Sequence, residues 1–270
     1  MKTVFITGAS SGIGKETAKL FHKKGWNVIA TMRNPQSEEE LIKFKNIRLI
    51  QCDVTNLESI KTAVSQGMEA FKSIDVLVNN AGYYTIGPVE AATHEQIKRQ
   101  IDTNLLGLID VTNEMIPHFR KQKSGTVINL SSIAGIISIP LQSLYHATKW
   151  GVEGVSEALQ YELRPFNIRV KIIEPGVIKT DFYGRSMTIA HNNRLTEYEP
   201  YSQKVINNLL KNGEKGSAPE EVAKTIYKAA ESNTKKLRYP TGNSKEMIYL
   251  RKILPFKIFN ALVRSSIEKD

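Results

Sequence analysis

The sequence is poor in the features that mark several classes of protein. Its 270 residues include one cysteine, Cys52, so no disulfide can form within the chain. We interpret Cys52 as a small apolar residue at a strand end. No apolar run approaches the roughly 20 residues that a membrane-spanning helix needs, and the apolar stretch at the N-terminus is too short for a signal-peptide core. We therefore expect a cytoplasmic protein.

Linkers, repeats and metal-ligand patterns are also missing. No stretch rich in glycine, proline or serine divides the chain, and no internal repeat is visible. We predict a single domain over residues 1–270, which is within the usual size range. The five histidines have no metal-ligand spacing, so we predict no metal site.

Acidic residues are too few to balance the basic ones. Lys and Arg number 37 against 27 Asp and Glu, which gives a net charge of +10. From residue 235 to residue 270 there are nine basic residues and three acidic ones. Such an excess is typical of proteins that meet nucleic acid, an anionic membrane or a phosphorylated cofactor. Because no cluster combines basic and aromatic residues, we predict no nucleic-acid partner.

Short runs rich in Val and Ile alternate with segments of helical periodicity. This pattern predicts an α/β protein with a doubly wound, mainly parallel sheet of about seven strands and helices on both faces. The predicted strands are residues 3–7, 27–32, 47–51, 74–78, 126–130, 168–173 and 237–239. The predicted helices are residues 12–24, 57–71, 93–121 with a break near Gly107, 144–163 and 219–232.

A glycine-rich turn joins the first strand to the first helix. Its sequence, TGASSGIG at residues 7–14, would let a pyrophosphate approach the backbone at a helix N-terminus, as in a Rossmann domain. A plain tight turn is the alternative, because such a motif alone is a weak signal. The predicted cofactor-binding residues in this turn are Gly8, Ser10, Ser11, Gly12, Ile13 and Gly14.

The end of the second strand has no carboxylate. An acidic residue there would bind a ribose hydroxyl pair, whereas an arginine accommodates a 2′-phosphate. This strand ends Ala-Thr-Met-Arg33, and Ser10 is a second donor. We therefore predict that NADP(H) is preferred and leave NAD(H) open, since Arg33 as a solvated surface residue is the alternative.

Tyr145 and Lys149 are four residues apart on a predicted helix, so their side chains share a face. A neighbouring ammonium favours a tyrosine phenolate, which can exchange a proton with a substrate oxygen. The spacing also arises by chance on helix surfaces, but Ser131-Ser132 closes the fifth strand nearby. A hydroxyl of this pair could hydrogen-bond the same substrate oxygen. His146 we interpret as structural.

This ordered set of motifs resembles the short-chain dehydrogenase/reductase family over nearly the whole chain. The set comprises TGASSGIG, NNAG at residues 79–82, Asn104, Ser132, Tyr145-x-x-x-Lys149 and Pro175-Gly176. The strand ending ATMRN and the segment YPTG at residues 239–242 are similar to the 17β-hydroxysteroid-dehydrogenase-like branch.

The resemblance implies a role for each matching residue. Tyr145 is the acid/base, Ser132 orients the substrate oxygen, and Lys149 lowers the tyrosine pKa and holds the nicotinamide ribose. Asn104 supports a water-linked proton relay. Besides the glycine turn and Arg33, the implied cofactor-binding residues are Asp53 and Val54 for the adenine, Asn80, Ala81 and Gly82 beside the ribose, Tyr145, Lys149, Pro175 and Gly176, and Ile178 with Thr180 for the carboxamide.

Two segments follow the motifs. Residues 179–200 are polar and aromatic and predict a substrate lid. Residues 246–267 form a basic amphipathic segment interrupted by Pro255. We expect this segment to cover the pocket or a subunit partner, and we favour that over a peripheral membrane contact. The resemblance also implies a homodimer or homotetramer.

The function that these residues predict is an oxidoreductase that moves a hydride between NADP(H) and a carbonyl or secondary alcohol. The aromatic lid indicates a fairly apolar small-molecule substrate such as a ketone, an aldehyde or a steroid. A 3-oxoacyl thioester reductase is an alternative, which basic residues at the pocket mouth would favour. A non-catalytic NADP-sensing protein is a weaker alternative, because such a protein could have lost Tyr145 or Lys149.

Overall fold

The computed structural model describes residues 1–180 and 186–268. The strands in these ranges are β1 (Thr3–Ile6), β2 (Asn27–Met32), β3 (Ile47–Gln51), β4 (Val76–Asn79), β5 (Tyr84–Ile86), β6 (Gly125–Leu130), β7 (Ile168–Pro175), β8 (Met187–Ile189) and β9 (Arg238–Thr241). Seven of them form one parallel sheet in the order β3-β2-β1-β4-β6-β7-β9. The predicted doubly wound α/β fold is confirmed.

Helices cover both faces of this sheet. They are α1 (Gly12–Lys23), α2 (Leu57–Phe71), α3 (His94–Ile101), α4 (Gly107–Gln122), α5 (Ser143–Leu163), α6 (Glu199–Glu214), α7 (Pro219–Glu231), α8 (Ser244–Ile253) and α9 (Phe256–Ile267). Among the described residues, no helix is both long and apolar enough to cross a membrane.

Alternating strand positions supply two separate cores. Val4 and Ile6 of β1 pack in the cluster that contains residues of α1 and α7. Phe5, which lies between them, packs with residues of α2 and α4 on the opposite face. All three side chains are buried, as expected when successive side chains of a strand point to opposite, covered faces. This explains why the strands are continuous apolar runs.

The strand order reverses between β1 and β4. The chain passes outward from β1 to β2 and β3, and then returns to place β4 on the other side of β1. Ligands of open α/β sheets bind in the crevice outside the carboxyl ends of the strands at such a reversal. The TGASSGIG turn follows β1, and the NNAG segment begins with the last residue of β4, so both lie at this crevice.

A second group of elements lies beside this crevice and is called the cap below: β5, β8, α6, α8 and α9. Strands β5 and β8 pair in parallel as a separate small sheet. Tyr84 and Ile86 of β5, Val205 of α6 and Phe259 of α9 are buried in a third apolar cluster. Partly buried residues of α8 also pack against it.

The sequence predicted the main sheet well and the cap poorly. The observed bounds of β2, β3 and α2 coincide with the prediction. Strand β4 begins two residues later than predicted, and a π-helical turn over Asp102–Leu106 replaces the predicted break near Gly107. The predicted lid contains β8 and the start of α6, neither of which was predicted, and its residues 181–185 lie outside the described ranges.

The two edge strands of the main sheet are β3 and β9. Strand β9 contains Pro240, opposite Glu174 in the register with β7. The carbonyl of Leu237 accepts from the N–H of Ile172 in β7, and the carbonyl of Thr241 accepts from the N–H of Gly176, which follows β7. Because hydrogen-bonding groups alternate in direction along a strand, residue 240 is directed away from β7, where its missing N–H breaks no bond of the sheet.

Candidate active site

A cavity of about 1150 Å³ opens at the carboxyl edge of the main sheet. It brings together all of the site residues predicted from the sequence except Gly14. Those that line it are Gly8, Ser10, Ser11, Gly12, Ile13, Arg33, Asp53, Val54, Asn80, Ala81, Gly82, Asn104, Ser132, Tyr145, Lys149, Pro175, Gly176, Ile178 and Thr180.

The glycine turn is folded so tightly that side chains would not fit. Gly8 has a φ of +67°, and a Cβ there would lie 2.8 Å from the Cα of Ala81. A Cβ on Gly14 would lie 2.3 Å from the carbonyl oxygen of Gly8. Gly14 therefore lets the start of α1 pack against the turn, while Gly12 and Ile13 line the cavity. The first turn of α1 contains no acidic residue, so its positive dipole end is not neutralised there.

Hydrogen bonds fix this turn to the end of β4. The Nδ2 atom of Asn80 donates to the carbonyl oxygens of Thr7 at 3.0 Å and Gly8 at 2.9 Å. The backbone N–H groups of Asn80 and Ala81 both donate to Oγ1 of Thr7 at 3.0 Å. Asn80 is therefore a support for the glycine turn as well as a residue of the cavity wall.

Tyr145 and Lys149 lie one turn apart on α5, and both are largely buried, at 9% and 7% exposure. The Nζ atom of Lys149 is 5.7 Å from the centroid of the Tyr145 ring and donates to the carbonyl oxygen of Leu130 at 2.6 Å. Leu130 ends β6, and Ser132 follows it two residues later. The Oγ atom of Ser132 accepts from the N–H of Ala134 at 3.1 Å. A phenol, an ammonium and a hydroxyl thus lie at one end of the same cavity.

Burial lowers the pKa of Lys149 to about 8, and the nearby Glu153 carboxylate opposes that shift. Glu153 lies one turn further along α5 and is itself 6% exposed. Arg238 of β9 joins it, with Nε 3.1 Å from Glu153 Oε2 and 3.5 Å from Oε1 of Glu174. Burial, together with the charge of Glu153, raises the pKa of Glu174 to about 7. An acidic pair bound to one arginine therefore lies behind Lys149.

Asn104 lies inside the π-helical turn that joins α3 to α4 and is 2% exposed. Its Oδ1 accepts from the N–H of Tyr83 at 2.9 Å, and its Nδ2 donates to the carbonyl of Tyr83 at 2.8 Å. The side chain therefore holds the segment after NNAG in place. Single π-helical turns of this kind occur frequently at functional sites.

His146 connects α5 to the loop that follows Ser132. Its Nε2 accepts from the N–H of Ile139 at 2.9 Å, and its Nδ1 lies 2.8 Å from the carbonyl oxygen of Ala134. This pattern requires a neutral ring with the proton on Nδ1, and burial lowers the pKa of His146 accordingly. The ring thus supports the loop that forms one wall of the cavity.

The far end of the cavity is lined by Arg33, Asn34, Ser37 and Glu38, with Ser10 beside them. Arg33 is exposed at the end of β2. Glu38 is buried, its Oε1 accepts from the N–H of Leu41, and Lys15 forms an ion pair with it at 2.9 Å. Burial alone would raise the pKa of Glu38, but these backbone and Lys15 contacts lower it overall. The charge of Glu38 is thus compensated by Lys15, which leaves Arg33 as an exposed cation on the cavity wall.

The remaining predicted residues lie along the same edge. Asp53 and Val54 follow β3, and Oδ1 of Asp53 accepts from the N–H and the hydroxyl of Thr55. Pro175 ends β7, and Gly176 follows it where a Cβ would meet Asn243 at 1.9 Å. These residues therefore reach the cavity directly from the ends of their strands, without a long intervening loop.

The opposite end of the cavity is apolar, and sequence reasoning did not identify most of its residues. Tyr84 packs edge-on against Tyr145, with ring centroids 5.2 Å apart. The apolar lining residues from the cap and the Ser132 loop are Tyr84, Ile133, Ala134, Ile137, Ile139, Leu209, Met247 and Ile267. Exposed Arg99 and Lys215 also line the cavity. The aromatic pair after NNAG was the one signal in the sequence that could have pointed to Tyr84.

Comparisons with known proteins agree with this architecture. The family model described as short chain dehydrogenase matches residues 2–188. The chain is 34% identical over 279 residues to the uncharacterized oxidoreductase YusZ of Bacillus subtilis, covering 98% of each. It is 41% identical over 179 residues to a 3-ketodihydrosphingosine reductase of Bacteroides thetaiotaomicron, covering 66% of this chain and 65% of the relative.

Solved structures share this fold as well. A short-chain dehydrogenase from Streptomyces avermitilis superposes with a TM-score of 0.84 at 28% identity, covering 98% of this chain and 97% of the other. The structure of ElxO with NADP bound has a TM-score of 0.72 at 27% identity, covering 88% and 97%.

The fold and cavity define an α/β protein with a ligand crevice at the reversal of strand order. The matched motifs then narrow this class to one family. The chain belongs to the short-chain dehydrogenase/reductase family of oxidoreductases. Its resemblance to the 17β-hydroxysteroid-dehydrogenase-like branch stays a prediction.

Proposed function

We propose that this protein moves a hydride between NADP(H) and a carbonyl or secondary alcohol of a fairly apolar substrate, with Tyr145 as the acid/base. One observation supports this most strongly. A single cavity joins the glycine turn after β1 to the buried Tyr145, Lys149 and Ser132. A cofactor bound along the turn and a substrate beside Tyr145 would therefore share one enclosed space.

The residues of the cavity suit a dinucleotide. Where Gly8 and Gly14 lie, any Cβ would clash with backbone atoms, so the backbone can form the narrow turn that a pyrophosphate requires. The N-terminus of α1 would supply N–H donors and a positive dipole end. When bound, the nicotinamide supplies or accepts the hydride. Asp53, Val54, Ala81, Ile178 and Thr180 would hold the rest of the cofactor.

Side chains of α5, together with Ser132 after the end of β6, would carry out proton transfer. During reduction of a carbonyl, Tyr145 would donate its phenolic proton to the substrate oxygen, which Ser132 would hold by a hydrogen bond. The ammonium of Lys149 would stabilise the phenolate left on Tyr145. The hydrogen bond from Lys149 to the Leu130 carbonyl holds that ammonium at the end of β6. Burial of the three groups strengthens these interactions by excluding water.

A preference for NADP(H) over NAD(H) is supported by the far end of the cavity. Arg33 is available there for a 2′-phosphate, while the nearest buried carboxylate, Glu38, is compensated by Lys15. The relative ElxO was solved with NADP bound. We expect Arg33→Ala to raise the KM for NADPH about tenfold or more, as loss of a charged hydrogen bond of 1.5–3 kcal/mol implies. The KM for NADH should change little, and equal effects on both would remove this role of Arg33.

The substrate end favours an apolar molecule, since eight apolar side chains from the cap and the Ser132 loop line it. A 3-oxoacyl thioester reductase is the second candidate. It is favoured by exposed Arg99 and Lys215 on the cavity wall, which could meet an acidic carrier. A relative named 3-ketodihydrosphingosine reductase also fits a long apolar ketone. Comparing turnover of an acyl thioester with turnover of simple ketones would separate these candidates.

The deciding experiment measures the absorbance of reduced nicotinamide with NADPH and separately NADH on a panel of ketones, aldehydes, quinones, steroids and a 3-oxoacyl thioester. Wild type and Tyr145→Phe are compared. We expect turnover with NADPH that falls at least a hundredfold in the variant, because general acid/base catalysis contributes 10²–10⁴-fold. NADPH binding, followed by its fluorescence, should persist in the variant. Equal turnover by both proteins would contradict the role of Tyr145.

A further inference from the structure

Helices α8 and α9 have two different faces. Their inner faces close the cap: Phe259, Val263 and Ile267 are buried in the cluster that contains Tyr84 and Tyr145. Met247 and Ile267 also line the cavity. Their outer faces carry Tyr249, Ile253, Phe256, Ile258 and Leu262, which are 47–63% exposed. These five large apolar side chains fall within residues 249–262.

The same arrangement occurs on both helices. On α8, Tyr249 and Ile253 are one turn apart, and Lys245 and Lys252 flank them at a spacing of two turns. On α9, Ile258 and Leu262 are one turn apart, and Lys257 and Arg264 are again two turns apart. All four basic residues are exposed. The outer face of each helix thus combines an apolar pair with a basic pair.

We propose that the outer faces of α8 and α9 dock this protein on an anionic lipid bilayer. An interfacial helix inserts apolar side chains among lipid tails while its basic residues meet the headgroups. Charge complementarity argues for lipid rather than a second copy of the chain. In a twofold interface this mainly basic patch would meet its own copy, which brings like charges close together. Within the described ranges, Glu246 is the one exposed acidic residue on these two helices, and Glu268 at the end of α9 pairs with Arg264 at 3.2 Å. Basic residues therefore remain in excess on this surface.

The position of α8 and α9 determines where a docked bilayer would lie relative to the cavity. Because α8 and α9 also form part of the cavity wall, a bilayer at their outer faces would lie close to the apolar end of the cavity. An apolar substrate could then enter from the lipid phase without crossing water. Docking itself does not depend on the proposed reaction, so its test can fail or succeed independently of turnover.

The test is flotation of the full chain with vesicles of phosphatidylcholine alone or with 30% phosphatidylserine. We expect binding to the anionic vesicles only, and its loss in 0.5 M NaCl. Lys245→Gln with Lys257→Gln should weaken partitioning about 25-fold, since each basic residue near an anionic surface contributes about fivefold. Ile258→Ser with Leu262→Ser should weaken it at least as much.

Matched controls come from the exposed segment after α1 and β2. Lys43→Gln with Lys45→Gln, and Ile42→Ser, remove the same kinds of group elsewhere on the surface. These controls should float like the wild type. Absence of wild-type flotation, or equal flotation of all variants, would overturn the proposal. If vesicles do not bind and Ile258→Ser with Leu262→Ser dissociates an oligomer in sedimentation velocity, the outer faces are an interface between copies instead.

Discussion

Lys149 is the residue whose surroundings matter most for the proposed chemistry. Its ammonium is buried and donates a hydrogen bond to a strand carbonyl. The carboxylate of Glu153, one turn away, interacts with it electrostatically. Glu153 is in turn bonded to Arg238, 85 positions away in the sequence. A side chain on an edge strand thus influences a group next to Tyr145.

Glu153→Gln should change the pH dependence of the reaction. The pKa of Lys149 is about 8, and the Glu153 carboxylate raises it against the effect of burial. Without that negative charge the pKa of Lys149 falls, so Lys149 loses its proton earlier as the pH rises. We expect the alkaline limb of kcat for carbonyl reduction to move to lower pH.

The control for this experiment is Glu157→Gln. Glu157 also binds Arg238, at 2.8 Å, but is half exposed. Its removal should leave the alkaline limb in place. If both variants shift the limb equally, Arg238 rather than the charge of Glu153 is the group that acts on Lys149.

Glu174 should make the protein less stable as the pH rises. Its pKa is about 7 in the folded protein and close to the model-peptide value of 4.5 when unfolded. Because the pKa of Glu174 is higher in the folded state, its protonation stabilises the fold fully below pH 4.5, and this contribution is lost as the pH rises through 7. The free energy of unfolding of Glu174→Gln, relative to that of the wild type, should therefore be higher at pH 8 than at pH 5, by up to about 3 kcal/mol.

Thermal unfolding followed by circular dichroism at pH 5 and pH 8 measures this difference. Exposed Glu220→Gln on α7 serves as the control for removal of a surface carboxylate. An identical change in Tm at both pH values would show that Glu174 does not titrate in this range.

At the level of elements, two glycines in helices should respond in opposite ways to alanine. A Cβ at Gly14 of α1 would meet the Gly8 carbonyl at 2.3 Å, whereas a Cβ at Gly154 of α5 meets nothing within 4 Å. Within the single subunit, Gly154→Ala should stabilise by about 1 kcal/mol, because alanine is the better helix former. Gly14→Ala should displace the turn and weaken NADPH binding at least tenfold.

Fluorescence titration with NADPH and thermal unfolding check both variants. Gly154→Ala should bind NADPH as the wild type does, and Gly14→Ala should also lower Tm. Normal NADPH binding by Gly14→Ala would show that the turn relaxes without losing its shape.

The elements that the sequence predicted are those whose apolar periodicity is imposed by the two cores of the main sheet. Strands β2 and β3 and helix α2 were predicted with their observed bounds because apolar residues recur at the expected intervals. Helix α6 was missed since only Val205 and Gly213 of its 16 residues are buried, so its apolar face is narrow. Strand β5 has three residues and pairs with β8, about a hundred residues later, which local periodicity does not reveal.

The same contrast applies to the candidate site. Motif residues at the ends of β1, β4 and β6 were predicted because the carboxyl ends of parallel strands meet at one edge. The cavity contains them as expected. Met247 and Ile267 belong to the segment that we expected to cover the pocket or a subunit partner, but which of its side chains reach the cavity depends on tertiary packing. The roles of the site residues stay predictions until variants are measured.

For the whole molecule, we propose a homodimer or homotetramer formed through the outer faces of α4 and α5. Trp150 and Tyr161 of α5 are 49% and 66% exposed, and Leu106 beside α4 is 45% exposed. Aromatic residues of this kind are typical centres of interfaces. Trp150→Glu should convert the oligomer to a smaller species, measured by light scattering after size exclusion. Ile42→Glu is the control, and a monomeric wild type would contradict the proposal.

Pro240 restricts how such an assembly can be built. It lacks the N–H that a further strand would need as a donor on the outer side of β9. Two copies therefore cannot join their sheets in register across β9 into one continuous ladder. The same break protects the chain from adding copies end to end into a fibril through this strand. At this end of the sheet, contacts between copies are therefore limited to those that do not extend the ladder.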